Sequence, residues 1–251
     1  MNAAGALPLD PILTVSGMTK SFGALRAVDD VSFAVSAGEI LGIAGPNGSG
    51  KSTLFNAITR IPFASDAGTV IFDGQEVQDR PAHDLANLGL ARTFQRETVF
   101  ATLSAIDNVL VAVEQTNRGG SMKRNVLLAE QALDVVGFPA TLHNWPAAAL
   151  PIFLRKLVMI AGAMALDPRV LLLDEPASSL TPQEIDRMRA LILHLKEMGI
   201  AIVLIEHVLE LLTGVSNRLL VLDQGATIAM GDPAAVVKDP KVIEAYLGAA
   251  A

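Results

Sequence analysis

At 251 residues the chain is long enough to bury a substantial core, as one large domain or as a domain with a subdomain. It contains no cysteine and four scattered histidines, which excludes a disulfide framework and any Cys-ligated metal site. Acidic residues outnumber basic ones by 26 to 19 for a formal charge of -7, the opposite of what a nucleic-acid-binding surface needs.

Although 51% of the residues are hydrophobic, no apolar run approaches the ~20 residues that cross a bilayer. The longest candidates, 157–166 and 200–205, read as buried elements. Residues 1–10 lack a basic segment ahead of their apolar residues and read as a flexible lead-in rather than a secretory signal. The expectation is a protein that stays inside the cell, with any membrane association coming through partners.

In chain order, strands are predicted at Leu13–Ser16, Val28–Val35, Ile40–Ala44 and Val70–Phe72, punctuated by Gly and Asp. The apolar period then lengthens to about 3.6, predicting helices over Ala105–Glu114, Val126–Val136 and Arg155–Ala165. Two branched, non-alternating runs follow, Val170–Leu173 and Ala201–Ile205, of the kind buried on both faces of a parallel sheet. Between them Thr181-Pro182-Gln183-Glu184 forms a capping box that opens a helix running to about Met198. The predicted organisation is α/β: a core of residues 11–84 and 167–251, with an antiparallel β region near its start, and a helical insert of residues 85–166.

The segment Gly45-Pro46-Asn47-Gly48-Ser49-Gly50-Lys51-Ser52-Thr53 fits the pattern G-x-x-x-x-G-K-[ST] between a predicted strand and a helix. Its glycines let successive N–H groups face one anion, and the helix terminus adds partial positive charge. In that setting Lys51 reaches the β- and γ-phosphates of ATP, Ser52 ligates Mg²⁺ and Thr53 contacts a phosphate. The strand Val170–Leu173 runs into Asp174-Glu175. Such a pair alone is more often a loop anchor, but beside a phosphate loop Asp174 is suited to hold Mg²⁺ through water and Glu175 to act as general base.

From about Leu13 to Leu247 the chain resembles the ATP-binding subunits of ATP-binding-cassette (ABC) transporters. The resemblance implies a RecA-like P-loop fold. Gln95, in Ala91-Arg92-Thr93-Phe94-Gln95, resembles the family's Q-loop glutamine, implied to contact Mg²⁺ and the γ-phosphate. Asp174-Glu175-Pro176 resembles its Walker B ending, His207 its switch histidine and Phe22 the aromatic that stacks on adenine. Ile106–Ala112, Ile205-Glu206-His207 and Val242–Gly248 are most similar to the branched-chain amino-acid importers. That resemblance implies integral-membrane permease subunits, a second ATPase subunit and an extracytoplasmic solute-binding protein, with no nucleic acid. Glu97, Thr98, Val99, Phe100 and Thr102 fall where the family receives the permease's coupling helix.

Two segments depart from the family. Leu150-Pro151-Ile152-Phe153-Leu154 aligns with the usual Leu-Ser-Gly-Gly-Gln signature, and Thr181 replaces the more frequent Asp of the D-loop. The altered signature favours a heterodimer with a different ATPase. It also keeps open a regulatory subunit with little hydrolysis, while a soluble cassette protein outside transport is the other alternative.

Overall fold

The computed structural model describes residues 10–96, 98–116 and 120–247. In chain order the elements are β1 (Leu13–Phe22), β2 (Leu25–Val35), β3 (Ile40–Ala44), α1 (Lys51–Thr59), β4 (Ala67–Phe72), β5 (Gln75–Glu76), α2 (Ala82–Leu88) and β6 (Leu90–Arg92). They continue through α3 (Ala105–Thr116), α4 (Met122–Val135), α5 (Ile152–Met164), β7 (Val170–Asp174), α6 (Pro182–Glu197) and β8 (Ala201–Ile205). The chain then adds α7 (Leu209–Val215), β9 (Arg218–Asp223), β10 (Ala226–Gly231), α8 (Pro233–Val236) and α9 (Pro240–Leu247).

Six strands form the main sheet in the order β10-β9-β3-β8-β7-β6, parallel from β9 to β6 with β10 antiparallel at the edge. A second, antiparallel sheet has the order β2-β1-β4-β5. The period-two geometry of a strand divides the main sheet's side chains between two cores. Ile40, Leu171, Leu173, Ile202, Leu204, Leu219 and Val221 join the core built with α3 to α7. Leu41, Ile43, Leu172, Val203, Ile205, Leu220 and Leu222 join the core shared with α1 and the second sheet. Covering both faces absorbs the chain's high apolar content, and no helix among the described residues is long and apolar enough to cross a membrane.

Several boundaries differ from the sequence expectation. The first strand runs on to Phe22 through irregular pairing with β2, where Gly17 with φ +62° interrupts the alternation that marks a strand. Inside the expected helical insert 85–166, β6 pairs in parallel with β7 and belongs to the main sheet, so the helical region proper follows it. With three residues, β6 is too short to show a period. α5 starts at Ile152, three residues before the expected Arg155. The Thr181 box is formed as expected: the Thr181 hydroxyl accepts from the Glu184 N–H and the Glu184 carboxylate accepts from the Thr181 N–H.

Candidate nucleotide site

In parallel sheets ligands gather at the carboxyl ends of the strands, and the strand order here brings four such ends together. Gly45–Gly50 follows β3, His207 lies just beyond β8, Asp174 and Glu175 end β7, and Gln95 follows β6. The sequence separates these residues by up to 162 positions, but β3, β8, β7 and β6 are consecutive neighbours in the sheet.

The loop from Gly45 to Thr53 is tightly built in. Gly45 has φ +145°, and a Cβ there would lie 2.2 Å from the Leu222 carbonyl oxygen. Gly50 caps α1 with φ +101°, and its Cβ would meet the Ala27 carbonyl oxygen at 2.2 Å. Neither position admits a side chain. Lys51 is buried and folds back into the loop, its ammonium donating to the carbonyls of Gly45 at 2.8 Å and Pro46 at 2.9 Å. Burial lowers its pKa, while the nearby Glu175 and Asp174 charges oppose that shift. Pro46, Asn47 and Gly48 form the tip, Ser49 is buried, and Ser52 and Thr53 lie partly buried on the first turn of α1.

Across from the loop, Glu175 has a left-handed backbone with φ +50°, a strained conformation for a non-glycine residue that is often found at functional sites. It is held by its own N–H, which donates to the Ile205 carbonyl at 2.9 Å. Both carboxylate oxygens are engaged: Oε1 lies 2.6 Å from His207 Nε2, and Oε2 accepts from Gln95 Nε2 at 2.8 Å. Three residues expected from separate motifs thus meet at one carboxylate.

Asp174 pairs differently. Its Oδ2 accepts from Arg92 Nη2 at 2.9 Å, and both side chains are almost wholly buried. Burial raises the Asp174 pKa and lowers that of Arg92, and the ion pair opposes both shifts. Oδ1 of Asp174 is buried without a hydrogen-bond partner. An unsatisfied buried carboxylate oxygen beside a phosphate loop fits a divalent cation or its coordinated water.

Motif reading missed three supporting residues. Arg92 also donates to Thr59 at 3.1 Å and lies over the Phe94 ring at 4.9 Å, tying α1, β6 and β7 together. Lys156, buried on α5, donates to the Glu175 carbonyl at 3.2 Å and to Ser178 at 3.0 Å. Glu206 is a buried carboxylate that accepts from the N–H groups of Ala177 at 2.5 Å and His207 at 3.2 Å, and burial raises its pKa. The signal available for each was a charged residue inside or beside an apolar strand or helix, where burial demands a partner.

Phe22 is exposed at the end of β1, edge-on to Phe63 with ring centroids 5.0 Å apart and Lys20 Nζ 5.5 Å from its own centroid. Phe100 is also exposed. Thr98 and Thr102 are exposed and Val99 is partly buried, while Glu97 lies outside the described residues. At the segment aligned with the signature, Pro151 is the N-cap of α5 and offers no side-chain cap. Leu150 and Phe153 are buried and Ile152 is partly exposed.

Known proteins carry the same architecture. The ABC transporter family profile matches residues 28–178, and that of the branched-chain amino acid ATP-binding cassette transporter matches residues 226–251. The high-affinity branched-chain amino acid transport ATP-binding protein BraF of Pseudomonas aeruginosa is 36% identical, over 96% of this chain and 99% of that protein. LivG of Escherichia coli, described in the same words, is 34% identical over the same shares. Among solved structures, a nucleotide-free ATP-binding cassette from an ABC transporter is 30% identical with a TM-score of 0.84, covering 95% of this chain and 99% of that one. A cassette of an ABC transporter in its ADP conformation gives 29% identity and a TM-score of 0.83 over the same shares. The chain therefore belongs to the ABC transporter family, as an ATP-binding subunit that hydrolyses ATP to power transport.

Proposed function

We propose that this chain drives a branched-chain amino-acid type importer, working on the cytoplasmic face of the membrane with integral-membrane permease subunits, a second and different ATPase subunit, and an extracytoplasmic solute-binding protein. The similarity to BraF and LivG supports the solute class. The single observation that carries the catalytic reading is the convergence of Gln95 and His207 on the Glu175 carboxylate.

In this reading the N–H groups of the loop beyond Pro46 and the Lys51 ammonium hold the phosphates, and Phe22 stacks on adenine. Ser52, Asp174 and Gln95 would hold Mg²⁺, which neutralises phosphate charge when bound. Glu175 takes a proton from water as the water oxygen bonds to the γ-phosphorus. The bond from that phosphorus to the bridging oxygen breaks, giving ADP and phosphate. Because both Glu175 oxygens are engaged, one must first be released, and transfer of His207 or Gln95 onto the nucleotide would release it. Hydrolysis is thereby tied to ATP arrival.

The segment Thr98–Thr102 would receive the permease, and exposed Phe100 would lie in that contact. The altered Leu150–Leu154 segment favours unequal composite sites in a heterodimer, and it keeps open a second reading, a regulatory subunit with little turnover. Reconstitution with the permease and partner ATPase separates them. Turnover stimulated by a leucine-loaded binding protein and lost on Glu175→Gln supports the motor, whereas turnover indifferent to that substitution identifies a regulatory subunit. Cysteines at Thr98 or Thr102 should cross-link to the permease, and failure across a panel of permease cysteines removes the docking assignment.

A further inference from the structure

The last helix reaches the phosphate loop through one side chain. α9 packs beside β10, with Val242 buried in the core. Tyr246 follows four residues later on the same helical face. Its hydroxyl accepts from the Gly45 N–H at 2.8 Å, a contact between residues 201 positions apart.

Gly45 is the hinge between β3 and the loop, and its backbone is confined on every side. The Leu222 carbonyl closes off its Cβ position, and Lys51 donates to its carbonyl at 2.8 Å. Tyr246 supplies the acceptor for its N–H. A backbone N–H in such a place needs a partner, and without one the loop must shift to find another. Packing alone does not explain the residue, because Tyr246 is 43% exposed as a whole and a phenylalanine would cover the same surface.

We propose that α9 is a latch on the phosphate loop, in which the Tyr246 hydroxyl preorganises Gly45 so that affinity for nucleoside di- and triphosphates depends on docking of the C-terminal helix. The proposal rests on reading Gly45–Thr53 as the phosphate loop. A loop already fixed at its first residue gives up less freedom when phosphate binds. Linkage is reciprocal, so bound nucleotide must tighten α9 by the same factor by which α9 tightens nucleotide. Tyr246 is thus a positioning residue, acting through the backbone of Gly45 and touching no reacting atom.

The test uses the full chain and a fluorescent ADP analogue, with Tyr246→Phe removing a single oxygen. The variant should bind the analogue about three- to tenfold more weakly, the range expected for one hydrogen bond. Its unliganded melting temperature should change little. Hydrogen exchange should show nucleotide protecting residues 240–247 in the wild type and failing to do so in Tyr246→Phe. Wild-type affinity in the variant, or an α9 whose exchange ignores nucleotide in the wild type, overturns the latch. A lower melting temperature with unchanged affinity likewise overturns it, leaving a tyrosine that only stabilises the fold. Lys51→Ala is the control for the underlying reading. If it binds as well as the wild type, the phosphate loop itself is misassigned and the latch falls with it.

Discussion

Two helices in this chain, α1 and α5, begin at the segments that the proposed function assigns to phosphate, and they are built in opposite ways. α1 opens from a loop with glycines at 45, 48 and 50, and its first residue is a lysine. α5 opens from Pro151, followed by Ile152 and Phe153. Both helices carry the same partial charge at their N-termini. What differs is access: glycines let phosphate approach the N–H groups, whereas Pro151 has no N–H to offer and Ile152 places an exposed side chain where glycine would leave space. The α5 terminus is committed inward. Phe153 is buried under the Arg187 guanidinium at 5.2 Å, and the Leu150 carbonyl accepts from Arg155 at 2.5 Å. A helix dipole is therefore not a phosphate site until the residues around it leave room for one.

The sharpest way to break this comparison is at the α1 side. Glu175→Gln keeps the shape of the site while removing the base and one of the two acceptor oxygens that face Gln95 and His207, so ATP binding should persist and hydrolysis in the assembled transporter should fall about 10²- to 10⁴-fold. Wild-type turnover by that variant would remove Glu175 from the chemistry. Lys51→Ala should act on binding instead, weakening ATP by about 10- to 100-fold, as expected for a charged hydrogen-bond donor. Equilibrium binding of a fluorescent ATP analogue by the single subunit checks this without any partner.

The α5 side predicts a smaller effect of opposite sign. Purified alone, the chain should turn over ATP poorly, because a homodimer would place two altered α5 termini at its sites. Pro151→Ser with Ile152→Gly restores a hydroxyl, an N–H and an open approach, and should raise that turnover about tenfold or more, given what a preorganised donor contributes in a transition state. Ile152 is 38% exposed, so its loss costs little core. Robust, cooperative turnover by the unaltered chain alone would show that the two termini are functionally equivalent and the comparison void.

The same contrast marks what the sequence makes legible. β3 with its loop, and β7 ending in Asp174-Glu175, are read directly because a short apolar run and a fixed motif report one another. The capping box at Thr181 is read as easily, being contained within four residues. Arg92 with Asp174, and Glu206 with the Ala177 N–H, are contacts across the sheet, and only the strand order β8-β7-β6 brings them together. β6, β9 and β10 escape sequence reading for related reasons. β6 spans three residues, the four-residue apolar centre of β9 resembles those of β7 and β8 but ends in no motif that reports it, and β10 contains Ala226, Ala229 and Gly231, whose side chains give little pattern.

The smallest predicted effect lies at the adenine end of the α1 site. Phe22 is 46% exposed, so Phe22→Ala should barely change stability, yet ATP affinity should fall about three- to tenfold if the ring stacks on the base. Its surroundings are fixed by Asp66, whose carboxylate accepts from Lys20 Nζ at 2.7 Å and from the Ser21 N–H at 2.7 Å. Those bonds hold the Asp66 pKa below its ordinary 3.8, chiefly through the Lys20 contact. A depressed carboxylate pKa contributes stability that is complete above the ordinary value and lost only as pH falls through the lowered one. The arrangement around Phe22 should therefore be constant from about pH 5 upward, and the ratio of wild-type to Phe22→Ala affinity should be flat across that range. A ratio that changes between pH 5 and 8 would place another titrating group beside the ring. A ratio near one at every pH would make Phe22 a strand-end residue with no part in nucleotide binding, leaving the loop and Lys51 to hold ATP by its phosphates alone.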